Sequence, residues 1–394
     1  MSAVSQSARH ASPACVLIAD DLSGACDAGV WFARHGLITR VALGSAPATY
    51  SDVLVVSTDS RGLTASAAAE QMRLAAGRLP LSSSAIVFKK IDSTFRGHIA
   101  AECDSLMELA GAPYGVMVPA VPSQGRTVER GILSVQDVSG TWTLDIRELL
   151  REQGVAVSTI SPRQCGTAQD LATVMMQAAA STRYVLCDAA NEQDLALAGE
   201  ALLSIRDRPL WIGASGLASQ AARLLRSGAE HAMPKPFVAA SGPVVICVGS
   251  NHEVTLAQLE RVQQAYGGTV VKAADSAAGQ IARAAEGSSP VVVMLASSLP
   301  NSIELKSLLE EIRSCSPAAI LATGGDTAAL VCRAAEAKEL VLEDEVVSGV
   351  PAGRIEGGLL DRLRLATKSG GFGGVDCLVD CIRRLSSNVM TGAR

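Results

Sequence analysis

Two adjacent carboxylates follow the first apolar run of the sequence. Cys15–Ala19 (CVLIA) is typical of a buried strand, and Asp20 and Asp21 come directly after it. Paired carboxylates at a strand end can accept the proton of a hydroxyl or hold a cation. Asp21 could instead cap the helix that the pattern predicts over Leu22–His35. Asp20 and Asp21 are our candidates for a general base, and the residues alone do not choose between them.

A dense polar cluster follows another apolar run, at Lys89–Gly97 (KKIDSTFRG). It opens a predicted helix, whose free amides favour an anion, although a capped helix with a solvated basic face is the alternative. Arg61 follows the run Val53–Ser57 and could pair with a carboxylate in bidentate geometry. In open α/β sheets, ligands bind outside the carboxyl ends of the strands. The candidate substrate-binding residues are Asp20, Arg61, Lys89, Lys90, Ile91, Asp92, Ser93 and Arg96.

Glycine clusters mark several junctions in the second half of the chain. Thr323–Thr327 (TGGDT) follows an apolar run, Thr367–Gly374 (TKSGGFGG) precedes the final helix, and residues 349–358 are predicted to form a permissive loop. Glycine lets backbone amides approach phosphate oxygens, and an adjacent lysine adds charge. Any one cluster could be a tight turn, but several in one domain favour a nucleotide site. Its candidates are Ser250, Gly324, Gly325, Asp326, Thr327, Gly349, Lys368, Gly370, Gly371, Phe372 and Gly373.

The elements that would position these residues alternate between short β-rich runs and longer helical patterns. This alternation predicts an α/β fold of two domains, each with a mainly parallel sheet flanked by helices. The pattern lapses between Ser227 and Pro243, where glycine and proline break both periods. We predict a first domain over 1–228, a linker over 229–240 and a second domain over 241–394.

Composition argues against several classes of protein. The chain has 394 residues, a net charge of -5 at pH 7 and 3% aromatic residues. It therefore lacks the basic field and the ring platforms that favour nucleic acid or an acidic membrane. Neither a P-loop nor a dinucleotide-binding glycine motif is present. The ten cysteines form no C-x-x-C pair, so we expect no metal ligand set. We expect a cytoplasmic protein, because no apolar signal segment or membrane span is evident.

In their order along the chain, these clusters resemble the four-carbon acid sugar kinase family. The resemblance implies a sugar-acid domain and a nucleotide domain with the active site in the cleft between them. It also implies ATP, magnesium and phosphorylation at the C4 hydroxyl of threonate, erythronate or 3-oxo-tetronate. The matching segments cover nearly the whole chain and are DDLSGACD (20–27), DSR (59–61), KKIDSTFRG (89–97), PAVPSQGRT (119–127), GASGLA (213–218), GSNHEVT (249–255), GGDTA (324–328), GVPAGRIEGG (349–358) and TKSGGFG (367–373).

The sequence departs from the family pattern at two places. Ser23 stands where threonine is usual, and Asn251 and His252 stand where a small residue and a serine are more frequent. The second departure puts a nucleotide contact from position 252 in doubt, whereas Ser250 still fits.

Together with this resemblance, the residues predict an ATP-dependent kinase, and the resemblance favours D-threonate or D-erythronate as its substrate. A 3-oxo-tetronate kinase, a non-catalytic sensor of sugar acids or nucleotides, and an oxidoreductase for sugar acids are the alternatives. We expect the basic side chains after the strands of the first domain to bind the carboxylate and hydroxyls of the substrate, with help from Asp92 and Ser93. The amides at Gly324–Thr327 and Gly370–Gly373 would hold the phosphates of ATP. Small molecules are the expected partners, and the sequence leaves a homo-oligomer open.

Overall fold

The chain divides into two units in the computed structural model. The structure describes residues 12–44, 50–137, 140–226, 237–267, 269–272, 280–285, 290–295 and 302–387. The first unit is Met1–Thr39 with Ala46–Met233, and the second is Arg40–Ser45 with Pro234–Arg394. Most of the predicted linker, residues 229–236, lies outside the described residues. The domain boundaries at 228 and 241 therefore stay predictions.

A parallel sheet forms the centre of the first unit. The strands up to residue 213 are β1 (Cys15–Ala19), β2 (Thr39–Ala42), β3 (Val53–Ser57), β4 (Ile86–Lys90), β5 (Gly115–Val118), β6 (Arg126–Glu129), β7 (Ile132–Asp137), β8 (Gly140–Asp145), β9 (Val157–Ile160), β10 (Tyr184–Cys187) and β11 (Leu210–Gly213). The sheet has the order β3-β1-β4-β11-β5-β10-β9, and each of these pairs is parallel. β6, β7 and β8 form a separate antiparallel sheet.

Helices connect the parallel strands of the first unit. They are α1 (Leu22–Arg34), α2 (Ala65–Ala76), α3 (Ile99–Ala110), α4 (Ile146–Glu152), α5 (Ala168–Ala179), α6 (Glu192–Ser204) and α7 (Ser215–Arg226). β1, β4 and β5 are buried at every residue, as expected of parallel strands covered on both faces. In the described part of the chain, no helix is long and apolar enough to cross a membrane.

The second unit has a mixed sheet. Its strands are β12 (Val244–Val248), β13 (Thr269–Lys272), β14 (Val291–Met294), β15 (Ala319–Thr323), β16 (Glu339–Val347), β17 (Val350–Glu356) and β18 (Arg364–Lys368). Its helices are α8 (Glu253–Tyr266), α9 (Gln280–Ala285), α10 (Ser302–Ser314), α11 (Gly325–Ala334) and α12 (Cys377–Leu385). The order β13-β14-β12-β15-β18 is parallel, and β17, β16 and β2 then continue it in antiparallel pairs. The predicted α/β class with mainly parallel sheets is confirmed.

The predicted loop over 349–358 is wrong. Most of that segment is β17, which pairs with both β16 and β18. Gly353 indicates the reason, because a Cβ there would meet the backbone of Val341 on β16. Gly353 lets β17 and β16 approach each other closely inside the sheet. From the sequence alone, a glycine with this role looks the same as a glycine in a turn.

The strand registers bring the candidate residues to two sheet edges. In the first unit, Ala19 is opposite Lys90, and Lys90 is opposite Gly213. In the second unit, Thr323 is opposite Lys368 on β18 and Val248 on β12. Because all these strands are parallel, the loops that follow them meet at the same edge of their own sheet.

Candidate functional site

Asp20 and Asp21 lie at the carboxyl end of β1, and both are buried. Their neighbour β3 runs parallel to β1, so the loop after β3 brings Arg61 to the same edge. Arg61 donates to Asp20 from Nε at 2.7 Å and from Nη2 at 2.8 Å. It donates to Asp21 from Nη1 and Nη2, both at 2.8 Å. One guanidinium thus clamps both candidate bases.

The two carboxylates differ in their other contacts. Asp21 caps α1, since it accepts hydrogen bonds from the Gly24 amide and the Ser23 hydroxyl, each at 2.8 Å. Among the described residues, the Asp20 carboxylate accepts hydrogen bonds from Arg61 alone. Asp21 is therefore committed to the helix start, whereas Asp20 retains lone pairs for a bound hydroxyl.

The electrostatic surroundings keep Asp20 ionised. Burial opposes the charged form, but the positive charges of Lys89, Arg61 and Lys90 outweigh it and lower the pKa of Asp20. At neutral pH the group is thus a carboxylate, the form that can accept a proton or orient a hydroxyl.

Lys89 contributes charge from inside the protein. Its side chain is fully buried, and Nζ lies 3.2 Å from Glu102 Oε2 and donates to the Lys90 carbonyl at 3.0 Å. Glu102 also accepts a hydrogen bond from the Ser60 hydroxyl. Although burial disfavours the ammonium, the charges of Glu102 and Asp20 raise the pKa of Lys89. Lys89 therefore carries a permanent charge that is already paired within the first unit.

Asp92 organises the segment after β4. It accepts two hydrogen bonds from the Arg96 guanidinium, at 3.0 and 2.7 Å, and one from the Thr94 amide at 3.1 Å. Burial opposes its ionisation, but Arg96 and Arg61 lower the pKa of Asp92 well below its usual range. Asp92 and Arg96 are thus an internal ion pair.

The other two candidates of this segment take different positions. Ile91 is buried, and its amide donates to the Gly213 carbonyl at 2.9 Å. Ser93 is half-buried and lies beside Asp92 in the turn that follows. All eight predicted substrate-binding residues therefore lie at one edge of the sheet, in the loops after β1, β3 and β4 or at the end of β4.

Sequence reasoning missed three residues of this edge. Asp27 on α1 lies 4.0 Å from Lys90 Nζ and hydrogen-bonds the Ser215 side chain at the start of α7. Glu102 on α3 is the partner of Lys89. Asp27 and Ser215 stand in the segments DDLSGACD (20–27) and GASGLA (213–218), so the sequence carries a signal for both. Nothing in the sequence distinguishes Glu102 from an exposed helical glutamate.

The candidates of the second unit surround the start of α11. Gly324 precedes this helix with a φ of +101°, which favours glycine, and no side chain caps the helix. Its amide donates to the Lys368 carbonyl at 2.7 Å, which joins the loop after β15 to the end of β18. Asp326 is exposed in the first turn, and Thr327 is buried.

Lys368 is enclosed by the loop that it begins. Its fully buried ammonium donates to the carbonyls of Ser369, Gly370 and Phe372 at 2.8, 3.1 and 3.1 Å. Burial lowers the pKa of Lys368 to about 8. The side chain therefore fixes the shape of the glycine-rich loop, which we call the 369–374 loop.

The 369–374 loop also packs against the start of α8. A Cβ on Gly370 would lie 2.5 Å from Ser250 Oγ, and one on Gly371 would lie 2.9 Å from His252 Nε2. His252 caps α8, because its Nδ1 accepts the Val254 amide at 3.2 Å.

Two further contacts hold the same loop. Gln258 Nε2 donates to the carbonyls of Phe372 and Gly373, each at 3.1 Å, and of Gly374 at 2.8 Å. The ring of Phe372 lies against Gly349, which has a φ of +75°. The predicted nucleotide-binding residues are thus adjacent within the second unit.

The two halves of the chain match separate family models. A model described as a sugar-binding N-terminal domain matches residues 15–221. A model described as a nucleotide-binding C-terminal domain matches residues 245–378. The sheet edge with the paired acidic and basic side chains lies within the sugar-binding match. The sheet edge with the glycine clusters lies within the nucleotide-binding match.

Curated relatives align along most of the chain. D-threonate kinase of Bordetella bronchiseptica is 32% identical, over 92% of this chain and 95% of the relative. D-threonate kinase of Cupriavidus necator is 31% identical, over 91% of this chain and 94% of the relative. D-erythronate kinase of Heliobacterium modesticaldum is 26% identical, over 95% and 97%, and 3-oxo-tetronate kinase of Burkholderia multivorans is 27% identical, over 93% and 96%.

Solved structures show the same fold. A Salmonella typhimurium protein superposes with a TM-score of 0.75 at 22% identity, over 95% of this chain and 100% of the other. A Haemophilus influenzae protein superposes with a TM-score of 0.69 at 20% identity, over 94% and 98%. Two family models match the two halves of the chain, and curated relatives align with more than nine tenths of it. The chain therefore belongs to the four-carbon acid sugar kinase family, whose members are phosphotransferases.

Proposed function

We propose that this enzyme transfers the γ-phosphoryl group of ATP to the C4 hydroxyl of a four-carbon sugar acid. The observation that carries the proposal is the clamped acid pair, in which Arg61 holds Asp20 and Asp21 at a strand end. Phosphoryl transfer depends mainly on positioning and charge neutralisation. An ionised carboxylate fixed in one orientation supplies the positioning of the attacking hydroxyl.

D-threonate is the substrate that we favour. The relatives at 32% and 31% identity are D-threonate kinases, and the D-erythronate and 3-oxo-tetronate kinases stand at 26% and 27%. D-erythronate differs from D-threonate only in configuration and is the next choice. A 3-oxo-tetronate kinase is the remaining alternative.

Asp20 is the proposed base. It is ionised, and among the described residues its carboxylate is bonded only to Arg61. Asp21 keeps α1 in place through its bonds to Gly24 and Ser23 and shares the Arg61 clamp. The assignment gives the two adjacent carboxylates different tasks.

The phosphates of ATP are proposed to bind at the start of α11 and along the 369–374 loop. The fit rests on Gly324, which leaves the helix start without a side-chain cap, and on Gly370 and Gly371, where a Cβ would collide with Ser250 and His252. Backbone amides and a helix start are suited to phosphate oxygens. Lys368 would act by holding the loop carbonyls and would not itself contact phosphate.

Magnesium is proposed to arrive with the nucleotide. Among the described residues, no group of three or more histidine, cysteine or acidic side chains is placed to hold a metal ion. Magnesium in kinases is usually bound by substrate phosphates with one or two carboxylates. Asp326, exposed in the first turn of α11, is a carboxylate available at that place.

The test is release of ADP from ATP and magnesium in the presence of D- and L-threonate, D- and L-erythronate and 3-oxo-tetronate. Turnover of one acid, with the product phosphorylated at C4 by phosphorus-31 NMR, is the expected result. The Asp20→Asn variant is the matched control, because it removes the charge and keeps the shape. No ADP release with any acid of the panel would contradict the proposed substrate class.

A further inference from the structure

Arg126 lies at the same end of the first unit but belongs to no ion pair of the described residues. It begins β6, and its backbone pairs with Val121 in an isolated bridge. Its Nη1 donates to the Gln124 carbonyl at 2.9 Å. Its Nε is buried and lacks a hydrogen-bond partner among the described residues. A buried guanidinium N–H without an acceptor is costly, so its place in the protein calls for an explanation.

The loop that carries Arg126 is fixed against the sheet edge. A Cβ on Gly213, at the end of β11, would lie 2.7 Å from the Val118 carbonyl oxygen, and a Cβ on Gly216 would meet the Ala120 carbonyl. These close approaches bring the segment after β5 onto the junction of β11 and α7. That junction carries Ser215, and β11 pairs with β4, whose last residue is Lys90.

Three other cations of this edge are already neutralised. Arg61 is bound by Asp20 and Asp21, Lys89 by Glu102, and Arg96 by Asp92. Each of these ion pairs has an N–O distance of 3.2 Å or less, so a substrate anion would have to compete with a carboxylate of the protein.

Lys90 and Arg126 differ from those three. Lys90 Nζ donates to the Ile91 carbonyl at 3.0 Å, and its nearest carboxylate, Asp27, is 4.0 Å away and beyond hydrogen-bond length. Both cations lie close enough to Asp27 for their charges to lower its pKa, although burial dominates and leaves the pKa of Asp27 raised. Among the described residues, neither cation is hydrogen-bonded to a carboxylate, which leaves N–H donors unused at this place.

From this distribution, and resting on the proposed function, we propose that Arg126 together with Lys90 binds the carboxylate of the sugar acid. In this arrangement the substrate carboxylate lies at Lys90 and Arg126, and the reacting hydroxyl lies at Asp20. A sugar acid has these two groups at its ends, with the carboxylate at C1 and the reacting hydroxyl at C4. The arrangement selects acids over neutral polyols and directs the hydroxyl toward Asp20.

The experiment compares wild type, Arg126→Gln and Arg126→Lys with the acid that the wild type phosphorylates and with the primary amide of that acid. The amide keeps the hydroxyls and removes the charge. We expect Arg126→Gln to raise KM for the acid about 10- to 100-fold, with KM for ATP unchanged, because a charged hydrogen bond is lost. Arg126→Lys should recover part of the loss. Arg183→Met is the control, since Arg183 is half-exposed and pairs with Asp104 elsewhere in the same unit.

The amide separates a role in binding from a structural role. Wild type should bind the amide more weakly than the acid, and Arg126→Gln should distinguish acid from amide less than wild type does, because Lys90 then faces the carboxylate without Arg126. Equal KM values of wild type for acid and amide would overturn the inference, whether or not the variants fold. An unchanged KM for the acid in a folded Arg126→Gln would also overturn it. If the wild type releases no ADP with any acid of the panel, the result contradicts the proposed function and not this inference.

Discussion

The guanidinium of Arg61 holds the carboxylate of Asp20 in bidentate geometry, with Nε 2.7 Å from Oδ2 and Nη2 2.8 Å from Oδ1. The same group reaches Asp21, so one planar cation fixes two like charges at the end of β1. An ammonium is a point charge without this planar fork. The shape of Arg61, and not only its charge, therefore sets the direction of the proposed base.

Replacing Arg61 by lysine tests this role. Arg61→Lys keeps the charge but loses the fork, and we expect kcat to fall about 10²-fold, since small misplacements of reacting groups have effects of that size. The measurement is steady-state kinetics with thermal unfolding alongside. Arg73→Lys is the control, because Arg73 is half-exposed on α2 and lies 3.7 Å from Glu70. A kcat within twofold of wild type for Arg61→Lys would rule out the positioning role.

Asp20 and Asp21 should differ in their effect on kcat when each is replaced by asparagine, its isosteric amide. Asp20→Asn should lower kcat by about 10²- to 10⁴-fold, the usual contribution of a general base. Asp21→Asn should retain much more activity, because asparagine caps helices as well as aspartate does. Both are compared by kcat at saturating substrate and by thermal unfolding. The reverse order of the two kcat values would assign the base to Asp21.

The strands of the first unit could be predicted from sequence because burial on both faces leaves an apolar run. β1 and β3 have the predicted bounds. Asp20 and Asp21 follow β1 directly, and Arg61 stands four residues after the end of β3. Once the sheet is assumed to be parallel, these residues meet at one edge. The apolar strands and the assumption of a parallel sheet are therefore enough to predict that the substrate-binding candidates lie together.

The pairings within the sites could not be predicted, because they depend on contacts between distant segments. Lys89 and Lys90 are adjacent lysines that the sequence does not distinguish. Lys89 is paired with Glu102 on α3, whereas the carboxylate of Asp27 lies 4.0 Å from Lys90. β17 was predicted as a loop because glycine and proline resemble turn residues until the neighbouring strand is known. Local patterns identify the edge, and tertiary contacts decide which side chains remain available.

Gly349 should be intolerant of a side chain. A Cβ there would overlap the ring of Phe372, and its φ of +75° disfavours other residues. We expect Gly349→Ala to lose about 1–3 kcal/mol of unfolding free energy and to raise KM for ATP, because Phe372 belongs to the 369–374 loop. Gly374→Ala is the control, since a Cβ on Gly374 would have no atom within 4 Å. Equal stability and equal KM for ATP in both variants would contradict the packing argument.

The pH dependence of ATP binding should report the ionisation of Lys368. Burial lowers the pKa of Lys368 to about 8, so the ammonium with its three donors predominates below that pH. Above it, the neutral amine has two N–H groups for three carbonyls, and the 369–374 loop is held less firmly. KM for ATP should therefore be constant below about pH 8 and should rise above it, whereas Lys368→Met should have a raised KM at neutral pH and lack this rise. Cys377→Ala is the control, because the Cys377 sulfur accepts a hydrogen bond from the Cys381 thiol, which lowers the pKa of Cys377, and the charge of Lys368 lowers that pKa further. If the rise disappears in Cys377→Ala and persists in Lys368→Met, the thiol and not the ammonium controls the loop.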